Sequence, residues 1–233
     1  MTELVTTELR DGLAVIRLDD GKANALGHET IDALGAALDR AEADADAVAI
    51  LGRKGMFSAG FDLAVMGSGT AAAQKLVGAG AELFLRVYGF PRPVVAGADG
   101  HALAAGAILL LSCDVRVGAD TDGKIGLPEV GLGMPLPVFG TELARDRISR
   151  RHYTRATQLS TIYTPDEAVD VGFLDEVVAA GDLEATVLER AGELRDLPRP
   201  GFEATRRNTR AATIAHIEST LAADLATFEV PAR

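Results

Sequence analysis

The chain has 233 residues, and its 34 acidic and 23 basic side chains give it a formal net charge of −11. Hydrophobic residues make up 48% of the chain and charged residues 24%, as in soluble globular domains, so global disorder is excluded. The acidic balance, without a basic block, excludes nucleic acid as an expected partner because such a surface repels phosphates. No apolar run reaches the roughly 20 residues of a membrane span, and residues 1–20 lack a signal-peptide pattern, so we expect no membrane contact and a cytoplasmic location.

The N-terminal part of the chain predicts a hairpin followed by helices and a buried strand. Residues 5–18 alternate between apolar and polar side chains around an Asp-Gly pair at 11–12, which is typical of a tight β-hairpin turn. Apolar residues at helical spacing predict helices over about 29–43 and 71–88. The continuous apolar run at 47–51 predicts a buried strand between them.

The middle of the chain repeats this order and indicates an α/β fold. A strand is predicted at 93–98, a helix from about 104 to 112 and a strand at 114–118. After the Pro/Gly-rich stretch at 126–137 the pattern is mostly helical, with one strand predicted at 173–178.

The C-terminal segment predicts a long amphipathic helix. Between residues 202 and 228 an apolar stripe is spaced by three, four and four residues; it consists of Ile214, Ile217, Leu221 and Leu225. Such a stripe packs on the core or on another subunit. We find no linker that would divide the chain into two domains.

Several common catalytic motifs are missing. Cys113 is the single cysteine and is interpreted as a core thiol, and the four histidines are too scattered for a metal site. The glycines at 131 and 133 lack the third glycine of a dinucleotide fingerprint, and Ser58 lacks the frame of a nucleophile elbow. We interpret His101 as structural or solvent-facing. We therefore expect no metal and no separate cofactor.

Two small-residue turns predict backbone hydrogen-bond donors. In FSAGFDL (57–63), Ala59 and Gly60 follow a predicted strand, where the chain can turn sharply and leave an N–H without a partner. In HALAAGA (101–107) the chain enters a helix, whose first amides have no intrahelical acceptor and lie at the positive end of the dipole. Two converging N–H groups of this kind form an oxyanion hole, which stabilises the enolate of a thioester.

Four segments in this order resemble the crotonase (enoyl-CoA hydratase/isomerase) superfamily over nearly the whole chain. They are DDGKANAL (19–26), FSAGFDL (57–63), HALAAGAILLLSCD (101–114) and KIGLPEVGLGMPLP (124–137). The resemblance implies an acyl-CoA thioester substrate, with the coenzyme A as part of that substrate. It also implies that the N–H groups of Phe61 and Ala105 are the two oxyanion donors. The family usually has glycine at positions 104 and 105, and an alanine is workable there if its φ is negative.

The same resemblance assigns Glu129 as the acid/base, and apolar residues on both sides of it predict a raised pKa. Hydratases of the family carry a second glutamate early in the oxyanion-hole helix, where this chain has Ile108. Dienoyl isomerases carry a further acid after the glutamate, and residues 130–141 contain none. One carboxylate suits a proton shuttle better than the addition of water, so the favoured activity is a Δ3,Δ2-enoyl-CoA isomerase. The alternatives are a hydratase that uses a single glutamate and a catalytically silent acyl-CoA binding protein.

The resemblance further implies a substrate-binding set around these groups. We interpret Lys22 as a candidate for a coenzyme A phosphate and Asp62 as a residue that fixes its own loop rather than an acid or base. The full set is Lys22, Ala23, Asn24, Ala25, Leu26, Ala59, Gly60, Asp62, Gly106 and Met134.

The implied fold is a crotonase-like spiral of stacked ββα units with a helical C-terminal region. We expect residues 1–195 to form the spiral core and 196–233 the helical oligomerisation region, giving a homotrimer or a dimer of trimers.

Overall fold

The fold was analysed in a computed structural model that describes residues 3–230. Within this range the strands are β1 (Val5–Arg10), β2 (Leu13–Leu18), β3 (Ala47–Leu51), β4 (Met56–Ser58), β5 (Val94–Ala98), β6 (His101–Leu103), β7 (Val115–Asp120), β8 (Ile125–Gly126), β9 (Ile162–Tyr163) and β10 (Glu176–Ala179). The α-helices are α1 (His28–Asp44), α2 (Leu63–Met66), α3 (Thr70–Tyr88), α4 (Ala105–Ser112), α5 (Val138–Arg147), α6 (Tyr153–Thr157), α7 (Pro165–Val171), α8 (Leu183–Arg195) and α9 (Arg199–Thr227). None of these helices is long and apolar enough to cross a membrane.

The larger sheet has six strands in the order β1-β2-β3-β5-β7-β10. Its first pair is antiparallel and closes through the predicted Asp-Gly turn, in which Asp11 and Gly12 both have positive φ values of 52° and 77°. The remaining pairs are parallel, and β3 and β5 are buried along their whole length. The mixed α/β class and the hairpin are therefore confirmed.

The smaller sheet positions the candidate site. It has the order β4-β6-β8-β9, and β4, β6 and β8 are parallel. Because parallel strands end at the same edge of a sheet, the segments that follow these three strands meet there. Those segments begin at residues 59, 104 and 127.

The prediction of a strand over 173–178 is wrong for residues 173–175, because β10 covers only Glu176–Ala179. Phe173 and Leu174 are fully buried, but their N–H groups both donate to the carbonyl of Ala168 and so terminate α7. Apolar residues at a helix end and in a buried strand look alike in sequence. The four short strands of the smaller sheet, β4, β6, β8 and β9, were also not predicted.

Helix α9 packs on the core of its own chain. Ile217 is fully buried, and Ile214, Leu221 and Leu225 lie partly buried against the main apolar cluster. The stripe therefore serves the first of its two predicted uses. The boundary between 1–195 and 196–233, and the trimer, stay predictions.

Candidate active site

The three predicted reactive groups lie at one edge of the smaller sheet. Phe61 comes three residues after β4, Ala105 two residues after β6 and Glu129 three residues after β8. Short parallel strands thus bring together positions that are far apart in the chain.

Two backbone N–H groups at this edge have no acceptor within the described part of the chain. Among the hydrogen bonds of residues 3–230, neither the Phe61 nor the Ala105 N–H is a donor, and Ala105 is the first residue of α4. The two segments touch: a Cβ built at Gly60 would lie 3.2 Å from the Ala105 nitrogen. Gly60 has a φ of 100°, so glycine suits this position on both counts. This geometry fits an oxyanion hole.

Ala104 departs from the expectation of negative φ. Its φ is 52° and its ψ is −128°, a conformation that favours glycine, whereas Ala105 begins a regular helix. Its Cβ would stand only 2.9 Å from a Cβ at Gly60. Strain of this kind costs on the order of 1–3 kcal/mol and is held by the surrounding structure.

Gly106 and Ser58 connect the two segments that carry the Phe61 and Ala105 N–H groups. A Cβ at Gly106 would lie 2.3 Å from the Ser58 carbonyl oxygen, so only glycine lets α4 approach β4 this closely. The buried Ser58 hydroxyl accepts the Gly60 N–H at 3.2 Å and donates to the Asn24 carbonyl at 2.7 Å. Ser58 is therefore a structural residue that the sequence analysis assigned no role.

The segment containing residues 22–26 lies directly beside the turn at Ala59 and Gly60. The Ala59 N–H donates to the Ala23 carbonyl, and the Leu26 N–H donates to the Gly60 carbonyl, at 2.9 and 2.8 Å. Asn24 is 1% exposed, and its amide donates to three backbone carbonyls. The Asn24 side chain therefore holds the shape of the segment and is not exposed to a ligand.

Asp20 and Lys22 lie at the outer end of that segment. The Asp20 carboxylate accepts the N–H groups of Lys22, Asn24 and Ala25. Partial burial raises the pKa of Asp20, but these three bonds outweigh it and hold the pKa below its ordinary value. The Lys22 side chain is exposed. Asp20 was missed in the sequence analysis, although its Asp-Gly context is a recognisable turn signal.

Asp62 and His101 have structural contacts. Asp62 caps α2 by accepting the N–H groups of Ala64 and Val65, in agreement with its predicted loop-fixing role. The Nδ1 atom of His101 accepts the Lys124 N–H at 3.0 Å, as expected of a structural histidine.

Glu129 is a buried carboxylate with an unsatisfied oxygen. It is 8% exposed, and its Oε2 atom has no hydrogen-bond partner. Burial raises the pKa of Glu129 to about 7, against the opposing effect of its own backbone N–H. Its carbonyl accepts the N–H groups of Leu132 and Met134, which hold the following turn. A carboxylate with a pKa near neutrality can both take and return a proton.

The position of the second hydratase glutamate is apolar. Ile108 is fully buried, and its Cδ1 atom lies 3.1 Å from the place of a Cβ at Gly140. Leu136 packs on the same spot, and Met134 lies partly buried against the core. Across residues 3–230, no group of three or more His, Cys, Asp or Glu is arranged to hold a metal.

Comparisons with known proteins agree with this architecture. A sequence profile of the enoyl-CoA hydratase/isomerase family matches residues 8–232. Human mitochondrial enoyl-CoA delta isomerase 1 is 30% identical over 230 residues, which cover 97% of this chain and 76% of the human protein. A probable enoyl-CoA hydratase of Bacillus subtilis is 32% identical over 186 residues, 78% of this chain and 70% of that protein.

A solved structure of an enoyl-CoA hydratase/isomerase family protein from Pseudomonas syringae superimposes with a TM-score of 0.95. It is 36% identical, and the match covers 97% of this chain and 98% of that one. The chain therefore belongs to the enoyl-CoA hydratase/isomerase family, within the crotonase superfamily. The predicted crotonase fold with a helical C-terminal region is confirmed. The relatives include both isomerases and hydratases by name.

Proposed function

We propose that the protein is an enoyl-CoA isomerase that converts a 3-enoyl-CoA into the 2-enoyl-CoA with Glu129 as its acid and base. The observation that carries this proposal is that Glu129 is the single buried carboxylate among residues 3–230. It lies at the same sheet edge as the two N–H groups, and Ile108 occupies the place of the second hydratase glutamate. Water addition uses two acids to orient and deprotonate the water. A double-bond shift needs one group that moves a proton.

The reaction begins with the thioester carbonyl oxygen between the N–H groups of Phe61 and Ala105. Ionised Glu129 takes a proton from C2, and the electron pair left at C2 delocalises into the carbonyl to give a dienolate. The two N–H groups stabilise the negative charge on oxygen, and they do so most strongly once that charge has formed. Protonated Glu129 then returns the proton to C4, leaving the double bond between C2 and C3.

The segment 22–26 is the proposed contact for the coenzyme A part of the substrate. It lies beside the hole through the Ala23–Ala59 and Leu26–Gly60 hydrogen bonds, and the exposed ammonium of Lys22 can meet a phosphate. On this reading the enzyme uses no separate cofactor.

A hydratase is the second candidate, favoured by the similarity to relatives named as hydratases. In that case Glu129 would act on a water held by backbone groups. Product mass separates the two reactions, because hydration adds one water molecule and isomerisation changes no mass.

The deciding experiment offers a 3-enoyl-CoA to the wild-type protein and to Glu129→Gln, and identifies the products by mass spectrometry and by NMR of the double-bond position. We expect an unchanged-mass 2-enoyl product, and a loss of about 100-fold or more in turnover in the variant. Glu218→Gln, which changes an exposed glutamate on α9, is the matched control and should keep full activity.

Two results would contradict the isomerase. A product heavier by one water, formed from the 2-enoyl-CoA, would establish the hydratase instead. Binding of the thioester without turnover at any chain length, equal in wild type and Glu129→Gln, would indicate a silent acyl-CoA binding protein.

A further inference from the structure

The aromatic ring of Phe61 lies against helix α3 at Gly80. A Cβ built at Gly80 would stand 2.4 Å from both the Cε1 and the Cζ atoms of that ring. Contacts this short do not occur between real atoms, so any side chain at position 80 would displace the ring. Gly80 is buried in the middle of α3, where a glycine otherwise costs about 1 kcal/mol relative to alanine.

The ring continues into an aromatic row inside the core. The centroids of Phe61 and Phe84 are 6.2 Å apart, and those of Phe84 and Phe139 are 5.8 Å apart, both pairs tilted. Phe84 and Phe139 are fully buried. Phe139 lies in the first turn of α5, the helix that follows the loop carrying Glu129. The row therefore connects the hole to the segment of the general base.

We propose that Gly80 is a positioning residue that fixes the oxyanion donor at Phe61 by giving its ring a place against α3. The inference rests on the proposed function of the hole. The ring is packed between α3 and Phe84, so we infer that its displacement is shared between rotation of the side chain and movement of the Phe61 backbone, which carries the donor N–H. A misplacement of about 1 Å in such a group can cost on the order of 100-fold in rate.

The opposite face of α3 supplies the matched control. Gly78 lies two residues earlier in the same helix, and a Cβ there would stand 3.1 Å from the Cδ1 atom of Leu225 in α9. That atom is the end of a flexible side chain, which can move aside. Gly78→Ala and Gly80→Ala therefore share the same gain in helix propensity but differ in their contact with Phe61.

The experiment measures kcat, KM and the infrared stretch of the thioester carbonyl in bound 2-enoyl-CoA. Donors in the hole polarise that carbonyl and lower its frequency. We expect Gly80→Ala to lower kcat about 100-fold with KM changed less than about threefold, and to lose much of the carbonyl shift. Gly78→Ala should resemble the wild type in all three.

A double-mutant cycle tests whether Gly80 acts through the ring. Phe61→Leu keeps the N–H and removes the ring, so in that background Gly80→Ala should change kcat less than about threefold. If Gly80→Ala does not fold, Phe61→Leu alone still tests the inference, because an unpinned donor predicts lower kcat and a smaller carbonyl shift at similar KM.

Two results would overturn the inference: a folded Gly80→Ala with the kcat and carbonyl shift of Gly78→Ala, or an equal loss with and without the Phe61 ring. The carbonyl shift is measured on a bound thioester and needs no turnover. A protein that binds the thioester without turning it over therefore contradicts the isomerase proposal, while the infrared data still decide the role of Gly80.

Discussion

The two ends of helix α4 differ in whether their terminal backbone groups have hydrogen-bond partners. At its N-terminus the Ala105 N–H donates no hydrogen bond within residues 3–230, whereas at its C-terminus the Arg147 guanidinium donates to the carbonyls of Leu111 and Cys113. The helix is only eight residues, about 12 Å, long. Next to it lie two carboxylates, Glu129 near the first end and Asp114 just past the second.

Asp114 is fully paired, and Glu129 is not. Asp114 accepts hydrogen bonds from Arg206 and Arg210 of α9 and from the Val94 N–H. Glu129 keeps one buried oxygen without a partner. The paired carboxylate binds two arginines of the C-terminal helix, and the unpaired one is the proposed acid/base. The comparison teaches that, among carboxylates shielded from solvent, the one without a hydrogen-bond partner is the better candidate for a catalytic acid.

The largest expected effect tests the anchored end. Asp114→Asn leaves the guanidinium groups of Arg206 and Arg210 buried without their counter-charge, so we expect a loss of about 3–5 kcal/mol in the free energy of unfolding. Urea denaturation at pH 7 measures it. Arg199→Gln changes an exposed arginine of the same helix and should cost less than about 1 kcal/mol. An Asp114 variant as stable as that control would show that α9 is held by apolar packing alone.

Removing the charge of Glu129 is expected to raise the free energy of unfolding, whereas removing that of Asp114 lowers it. Because the pKa of Glu129 rises from 4.5 to about 7 on folding, its stabilising contribution is fully present below pH 4.5 and is lost as the pH rises through 7. Glu129→Gln cannot ionise, so at pH 8 it should be more stable than the wild type by up to about 3 kcal/mol. At pH 4 the two should be alike. A stability difference that does not change with pH would contradict the buried, unpaired state of this carboxylate.

The same pKa predicts the acid limb of activity. Only ionised Glu129 takes a proton, so kcat/KM should fall about tenfold per pH unit below a value near 7. Steady-state rates between pH 5 and 9 measure the limb, and Glu218→Gln should reproduce it. Constant kcat/KM down to pH 5 would argue against Glu129 as the base.

The smallest effect concerns Ala104. Replacing it with glycine relieves the strain at a φ of 52°, but glycine also adds conformational entropy to the unfolded chain. We expect a net gain of about 1 kcal/mol in the free energy of unfolding. For a chain of this size that gain is about 2–4 °C in Tm, which calorimetry resolves. Ala107→Gly, inside α4, is the control and should destabilise. A loss of stability on Ala104→Gly would show that packing of the Ala104 methyl group stabilises the fold by more than the backbone strain destabilises it.

Helices with one buried face, and strands with a continuous apolar run, were predictable from the sequence to within one or two residues. The helix predicted over 29–43 is α1 at 28–44, and the strand predicted at 47–51 is β3. Periodicity records which face meets the core, so it sets type and length together. The flanking apolar residues of Glu129 likewise indicated a raised pKa, and the structure agrees.

Close approaches were not predictable in this way. Gly78 and Gly80 look alike in the sequence of α3, and only tertiary packing shows that one faces α9 and the other the Phe61 ring. The sign of φ at Ala104 has the same origin, because neighbouring segments impose it. Residue type limits what a position can do, while contacts between distant segments decide what it does.

The two proposed oxyanion donors are main-chain N–H groups, so their presence does not depend on a particular side chain. Ala105 could be exchanged for another residue type and still present the same amide if the path of the chain is kept, whereas at Phe61 the ring itself helps to set that path. The residues that cannot vary are those that set the path, such as Gly106 against Ser58. Comparing residue types between sequences therefore identifies the residues that set the backbone path more readily than the residues that carry the N–H donors. Redesign of this site has to begin from backbone geometry.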